Sequence, residues 1–106
     1  DAEVCRTLFE HAGIDDAIAS IASGWEKRLA GGDSALFTMG VDMIDAEAKN
    51  IWAFNDGVEG VFGAKGACVK IAAIYDSNHT EKEWNQIVQT ADVAFMNWQE
   101  ALDWLK

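Results

Sequence analysis

The chain has 106 residues, with 8 basic and 18 acidic side chains and a formal net charge of −10; half of its residues are hydrophobic and none is proline. Five Trp and five Phe supply anchors for a core, so the composition excludes a disordered chain and predicts a single domain over 1–106. The acidity excludes nucleic acids and anionic lipid headgroups as partners, because both bind mainly Lys and Arg and the largest basic cluster is Lys27-Arg28.

The first two segments have helical apolar spacing. The first runs from about Ala2 to Ala12 and stops at Gly13. The second begins at Asp15 or Asp16, runs to Ala30, and has its apolar stripe on one side, as expected of an amphipathic surface helix. No apolar run approaches the roughly 18 residues that cross a bilayer, so we expect a chain that does not span a membrane.

Two longer segments follow the same pattern. One is capped by Asp33 or Ser34 and is predicted to be helical to about Phe54. The other begins with a Thr-x-x-Glu capping box at Thr80 and Glu83 and predicts one helix of roughly 25 residues. Its apolar face is formed by Trp84, Ile87, Val88, Ala91, Phe95, Trp98, Leu102 and Leu105.

Between these helices, glycine recurs at every third position. Gly57, Gly60, Gly63 and Gly66 sweep half the circumference of a helix, and Lys65 falls in the middle of the apolar half. Either the glycines permit close approach of a helix, ligand or partner, or residues 55–63 form a loop; the low helix propensity of glycine favours the loop. The apolar run from Ala67 to Tyr75 then predicts a central helix, because no second strand candidate exists to pair with it.

The two cysteines, Cys5 and Cys68, are too far apart for a zinc or redox motif, so they form either one long-range disulfide or two reduced core thiols. The sequon Asn78-His79-Thr80, a candidate glycosylation site at Asn78, favours the disulfide. The chain begins at Asp1 without an initiator Met or leader, as a mature form does, so we expect a secreted or extracellular protein, periplasmic if bacterial.

The predicted fold is all-α: an antiparallel four-helix bundle with an additional short N-terminal helix, stapled by one disulfide.

No catalytic constellation is recognisable. His11 and His79 have no metal-ligand spacing. The stretch Asp76 to Thr80 starts like a calcium loop, but Glu81 replaces the required glycine, so Asp76 and Thr80 are interpreted as turn and cap residues. We therefore expect no enzyme activity, no cofactor and no metal.

The remaining signals indicate binding. Trp52 and Trp104 lie off the core stripes, and Trp104 is either part of an interface or covered by the C-terminal tail. The predicted function is binding of another macromolecule through the exposed aromatic face or the glycine-rich segment with Gly57, Gly60 and Gly63. The alternative is a carrier of a small apolar or amphipathic ligand, such as a fatty acid, in the bundle interior. That ligand would lie between Trp52, Phe62, Trp84 and the glycine segment, with Lys65 near its carboxylate.

Overall fold

The protein is described as a computed structural model over residues 2–18 and 32–106. These residues form five α-helices, three strands and two short 3₁₀ turns at Asp15–Ala17 and Ala48–Asn50. In chain order the elements are α1 (Ala2–Ala12), α2 (Gly32–Asp42), β1 (Trp52–Asn55), α3 (Val58–Gly66), β2 (Lys70–Ile74), α4 (Glu81–Thr90), β3 (Val93–Phe95) and α5 (Trp98–Leu105).

The strands form one parallel sheet in the order β1-β2-β3. Helix α3 connects β1 to β2 and α4 connects β2 to β3, so the C-terminal half consists of two consecutive βαβ units. Asp92 fixes the start of β3: its Oδ2 accepts the N–H of Ile71 at 2.8 Å, and its own N–H donates to the Ile71 carbonyl at 2.9 Å. The central strand β2 is buried from Ile71 to Ile74.

The two faces of the sheet are covered differently. One face packs against α2, α3 and α4, and its buried residues are Val61, Ala64, Val69, Ile71, Ala73 and Ile87. The other face packs against α5, and its buried residues are Ala72, Ile74, Phe95 and Ala101. Alternate side chains of β2 point to opposite faces, which is why an uninterrupted apolar run is needed there.

This architecture contradicts the predicted all-α four-helix bundle. Strands β1 and β3 have four and three residues, and stretches this short fit into a helical apolar spacing as readily as into a strand pattern. The run from Ala67 to Tyr75 is mostly β2 instead of a central helix, because these two unrecognised strands pair with it on either side.

The bounds of the long predicted helices change accordingly. The segment expected to continue to Phe54 leaves the helix at Asp42. The predicted 25-residue helix is interrupted by β3, which separates α4 from α5. The predicted capping box is confirmed, with Thr80 Oγ1 accepting the N–H of Glu83 and Glu83 Oε1 accepting the N–H of Thr80, each at 3.1 Å.

The glycine-rich segment is a helix, so the favoured loop at 55–63 was wrong. It forms α3, which packs against α2, α4 and the sheet, and Val61 and Ala64 are fully buried on it. Lys65, which the sequence places in the middle of the apolar half, is exposed on α3. The packing of the small, apolar inner side of α3 outweighs the low helix propensity of glycine.

The predicted disulfide is also wrong, because Cys5 and Cys68 are both free. Cys68 is exposed in the turn after α3, at a left-handed φ of 63°, instead of lying inside a central helix. Cys5 lies on α1, whose predicted bounds at Ala2 and Ala12 are confirmed and which contacts the turn at Asp15–Ala17. Gly13 ends α1 with φ +72°, a conformation that glycine adopts at little cost.

The predicted second helix, from Asp15 or Asp16 to Ala30, lies mostly outside the described residues. Its first residues form the 3₁₀ turn at Asp15–Ala17. Within the described ranges, no helix combines the length and the apolar character needed to cross a bilayer.

Candidate functional site

The carboxyl ends of β1 and β2 meet at one edge of the sheet, as in every parallel pair. Two of the junctions at this edge are Asn55-Asp56-Gly57, which leads into α3, and residues 75–80, which lead into α4. Both carry short polar side chains directly after the strands. Ligands of open α/β sheets bind outside the carboxyl ends of the strands, so this edge is the first candidate site.

The first junction is ordered by Asn55. Its Oδ1 accepts the N–H of Gly57 at 2.9 Å, and its amide group lies so close to Gly60 that a side chain at position 60 would overlap it. Helix α3 begins after Gly57, whose lack of a side chain leaves the first turn without a side-chain cap. The N–H groups of this turn therefore face the carboxyl edge with the positive end of the helix dipole.

The second junction is a tight polar turn. Asp76 Oδ1 accepts the N–H of Asn78 at 3.0 Å, and the Asp76 carbonyl accepts the N–H of His79 at 3.1 Å. These bonds confirm Asp76 as a turn residue. In contrast to α3, helix α4 has its first turn closed by the Thr80–Glu83 capping box.

The imidazole of His79 joins the two junctions. Its Nε2 hydrogen-bonds the carbonyl of Asp56, and its Nδ1 lies 3.7 Å from Glu83 Oε2. The hydrogen bond to the Asp56 carbonyl is the main reason that the pKa of His79 lies above its ordinary value; desolvation opposes it, and Glu83 and Asp76 add smaller contributions that raise the pKa. The backbone N–H of Thr80 lowers the pKa of Glu83. The ring thus hydrogen-bonds the first junction and lies within ion-pair distance of Glu83 in the second, so His79 holds Asp56 against the second turn.

The residues that the sequence singled out for binding do not form one site. Gly57 and Gly60 lie at the carboxyl edge, whereas Gly63 is buried inside the fold. Phe62 and Lys65 are exposed on α3. Trp104, on α5, contacts Trp52 on the sheet face that α5 covers.

An aromatic face on this side of the sheet is the second candidate site. Trp104 contacts Trp52 and Phe95, with ring centroids 5.0 and 5.5 Å apart, and Trp98 stacks on Phe54 at 6.3 Å. Lys70 Nζ lies 5.4 Å from the centroid of the Trp52 ring. Trp98 is nevertheless 59% exposed and Trp104 43% exposed, because the short helix α5 covers only part of this face.

An apolar groove lies beside β1, on the face that packs against α2. Its volume is about 330 Å³. It is lined mainly by Leu36, Phe37, Val41, Ile44, Ile51 and Trp52. Of the residues predicted to hold an apolar ligand, only Trp52 lines this groove, and Trp84 packs edge-on against Tyr75 instead.

The sequence signal for the carboxyl edge is weak but present. Asn55-Asp56-Gly57 and Asp76-Ser77-Asn78 each follow an apolar stretch, yet they meet only because β1 and β2 pair in parallel. Across the described ranges, no group of three or more His, Cys, Asp or Glu side chains is placed to hold a metal ion. In comparisons with known proteins, no family model, curated protein or solved structure matches the chain.

Proposed function

We propose that the protein binds a small anionic ligand with hydroxyl groups, such as a sugar phosphate, at the carboxyl edge of the sheet. The observation that supports this most is the bridge made by His79, which holds the Asp56 backbone beside the turn at Asp76. The two junctions then present one continuous polar surface next to the uncapped first turn of α3.

The chemistry of this edge has two parts. The N–H groups of Val58 and Glu59, in the first turn of α3, suit an anionic group, because a helix N-terminus combines free donors with the positive dipole end. The carboxylates of Asp56 and Asp76 accept hydrogen bonds and suit ligand hydroxyls. These carboxylates also repel a bare anion, so we expect a hydroxylated anion to bind more tightly than inorganic phosphate.

The test is a titration of the ¹⁵N-labelled protein with glucose 6-phosphate, with inorganic phosphate and glucose as separate titrations. Shifts are expected first at the amides of Val58 and Glu59, with a dissociation constant of about 1–10 mM or tighter. Val58→Pro removes one donor at the first helical position, where proline is tolerated, and is expected to weaken binding about fivefold, the value of one hydrogen bond. Val58→Ala keeps the N–H and serves as the matched control.

Two outcomes contradict this proposal. One is the absence of saturable shifts at the carboxyl edge up to concentrations well above the expected dissociation constant. The other is equal binding by the Val58→Pro and Val58→Ala variants, which would show that the first turn of α3 does not contact the ligand.

A second candidate function, binding of another macromolecule, is supported by the aromatic face. Trp98, Leu102 and Leu105 are about half exposed or more on α5, beside Trp104. Such a cluster on a surface is typical of protein interfaces. The charge of −10 favours a basic partner.

The probe for this function is a synthetic amphipathic helix of Leu and Lys. The indole N–H signals of Trp98 and Trp104 are expected to shift on addition of the peptide, whereas that of Trp84, on the opposite side of the sheet, serves as an internal reference. A Trp98→Asn variant is expected to bind more weakly than a Phe62→Asn variant, which removes an aromatic residue that is 45% exposed on α3. Equal weakening of the two variants, or shifts confined to Trp84, would contradict the use of this face.

The other functional expectations remain predictions. An apolar-ligand carrier would use the groove beside β1, since the bundle interior does not exist. Secretion, glycosylation at the exposed Asn78 and a lack of enzyme activity stay predictions from the sequence.

A further inference from the structure

Strand β1 is one of the two edge strands of the sheet, and its outer edge has no strand partner among the described residues. Among the described residues, β1 pairs with β2 alone. Charged residues and proline usually prevent an edge strand from pairing with another chain. The sequence of β1, Trp-Ala-Phe-Asn, contains neither.

The register identifies which backbone groups face outward. The Lys70 N–H donates to the Ile51 carbonyl at 2.9 Å, so Ile51 faces β2. Because successive residues of a strand alternate in the direction of their N–H and C=O groups, Ala53 also faces β2. Trp52 and Phe54 therefore direct two N–H and two C=O groups away from the sheet.

We propose that a second copy of this chain pairs with this edge, β1 against β1 in antiparallel orientation. If Trp52 of one copy lies opposite Phe54 of the other, the two outward N–H and two outward C=O groups of each copy all form hydrogen bonds across the two-fold axis. Ala53 then lies opposite Ala53 of the second copy on the axis. This is a non-hydrogen-bonded pair in which strands approach closely, and alanine is small enough for it.

Side chains and charges fit the same arrangement. Trp52 of one copy stands beside Phe54 of the other on the aromatic face, a favourable cross-strand pair. Antiparallel pairing also brings the residues before one β1 next to those after the other. The exposed Lys49, 3.2 Å from Glu47 in its own chain, is thereby brought near the exposed Asp56 of the second copy. Two such charge pairs offset part of the repulsion between copies that carry −10 each.

The test is sedimentation equilibrium of the full chain up to millimolar concentration in 150 mM salt. The expected result is a reversible monomer–dimer equilibrium, with a dimer of twice the 11.6 kDa chain mass. Hydrogen exchange of the Trp52 and Phe54 amides is expected to slow in the dimer. A wild-type chain that stays monomeric at millimolar concentration overturns the proposal and leaves the edge to a strand of another protein.

Two sets of variants separate edge pairing from other contacts. Phe54→Pro removes an outward N–H at an edge position where proline is tolerated, and it is expected to weaken dimerisation at least about tenfold relative to Phe54→Ala. Lys49→Asp and Asp56→Lys are each expected to weaken it about tenfold, and the double variant to restore it. Equal dimerisation of the proline and alanine variants, with circular dichroism unchanged, would overturn the proposal, as would a double variant that is not rescued.

Discussion

The side-chain amide of Asn55 occupies the space in which a Cβ at Gly60 would lie. Asn55 is held there by its hydrogen bond to the Gly57 N–H. The two glycines therefore have different roles: Gly57 supplies the donor, and Gly60 leaves room for the Asn55 side chain. This contact links the end of β1 to the first turn of α3 and explains why a glycine is tolerated inside this helix.

The pair predicts a change of sign in a double-mutant cycle. In the wild-type chain, Gly60→Ala is expected to lower the free energy of unfolding by about 1 kcal/mol, since the lost Asn55 bond and the overlap outweigh the better helix propensity of alanine. In an Asn55→Ala background, the same change is expected to raise it by about 0.5–1 kcal/mol. Urea denaturation measures both values, and the same sign in both backgrounds would refute the contact.

His79 predicts a pH dependence of stability. Its folded pKa is raised above the ordinary value of 6.5, so the folded state binds the proton more tightly than the unfolded chain does. The stabilisation is present below pH 6.5 and is lost as the pH rises through the folded pKa. Melting temperatures are therefore expected to fall above pH 6.5, and less so in His79→Gln; an NMR titration of His79 with a midpoint below 6.5 would contradict this.

The Thr80–Glu83 capping box is expected to stabilise the first turn of α4. Thr80→Ala removes the acceptor for the Glu83 N–H and is expected to cost about 1 kcal/mol in urea denaturation. Thr80→Ser keeps the hydroxyl and is the matched control, expected to stay within about 0.5 kcal/mol of wild type. A serine variant as unstable as the alanine variant would indicate a role for the threonine methyl group instead.

Two neighbouring residues of α4 distinguish the observed fold from a long helix with one apolar face. Ile87 is fully buried against the sheet, whereas Val88 is 42% exposed. Ile87→Ala is expected to cost about 2–5 kcal/mol, and Val88→Ala less than about 1 kcal/mol. Comparable losses at both positions would show that Val88 also faces a core.

The protein is expected to contain two free thiols, at Cys5 and Cys68. Alkylation of the unreduced protein followed by mass spectrometry is expected to label both Cys5 and Cys68, with the exposed Cys68 reacting faster. A reducing agent is expected to leave the melting temperature unchanged. A mass two daltons below that of the dithiol, together with a lower melting temperature after reduction, would restore the disulfide.

Features that depend on neighbouring residues could be predicted from the sequence. Helix α1, its glycine stop and the Thr80–Glu83 capping box each involve groups within four positions, and all three are confirmed. The sheet could not be predicted in this way. Strand β3 has three residues, and Phe95 continues the apolar stripe that Trp84 and Ile87 begin on α4.

The candidate site could not be predicted from the sequence for the same reason. Asp76 and Thr80 were correctly assigned as turn and cap residues from local patterns. Their position beside Asp56 depends on the parallel register of Trp52 with Lys70, which is a contact between residues far apart in the chain. No local pattern carries that information.

The central position of β2 also determines how the chain folds. Among the described strands, β1 and β3 pair with β2 and not with each other, so each gains this partner only after β2 is extended. The transition state for folding is therefore expected to contain β2 and a helix packed on it, with the outer strands added later. Substitutions at Ile71 or Ile74 would then slow folding, whereas those at Phe54 or Val93 would mainly accelerate unfolding.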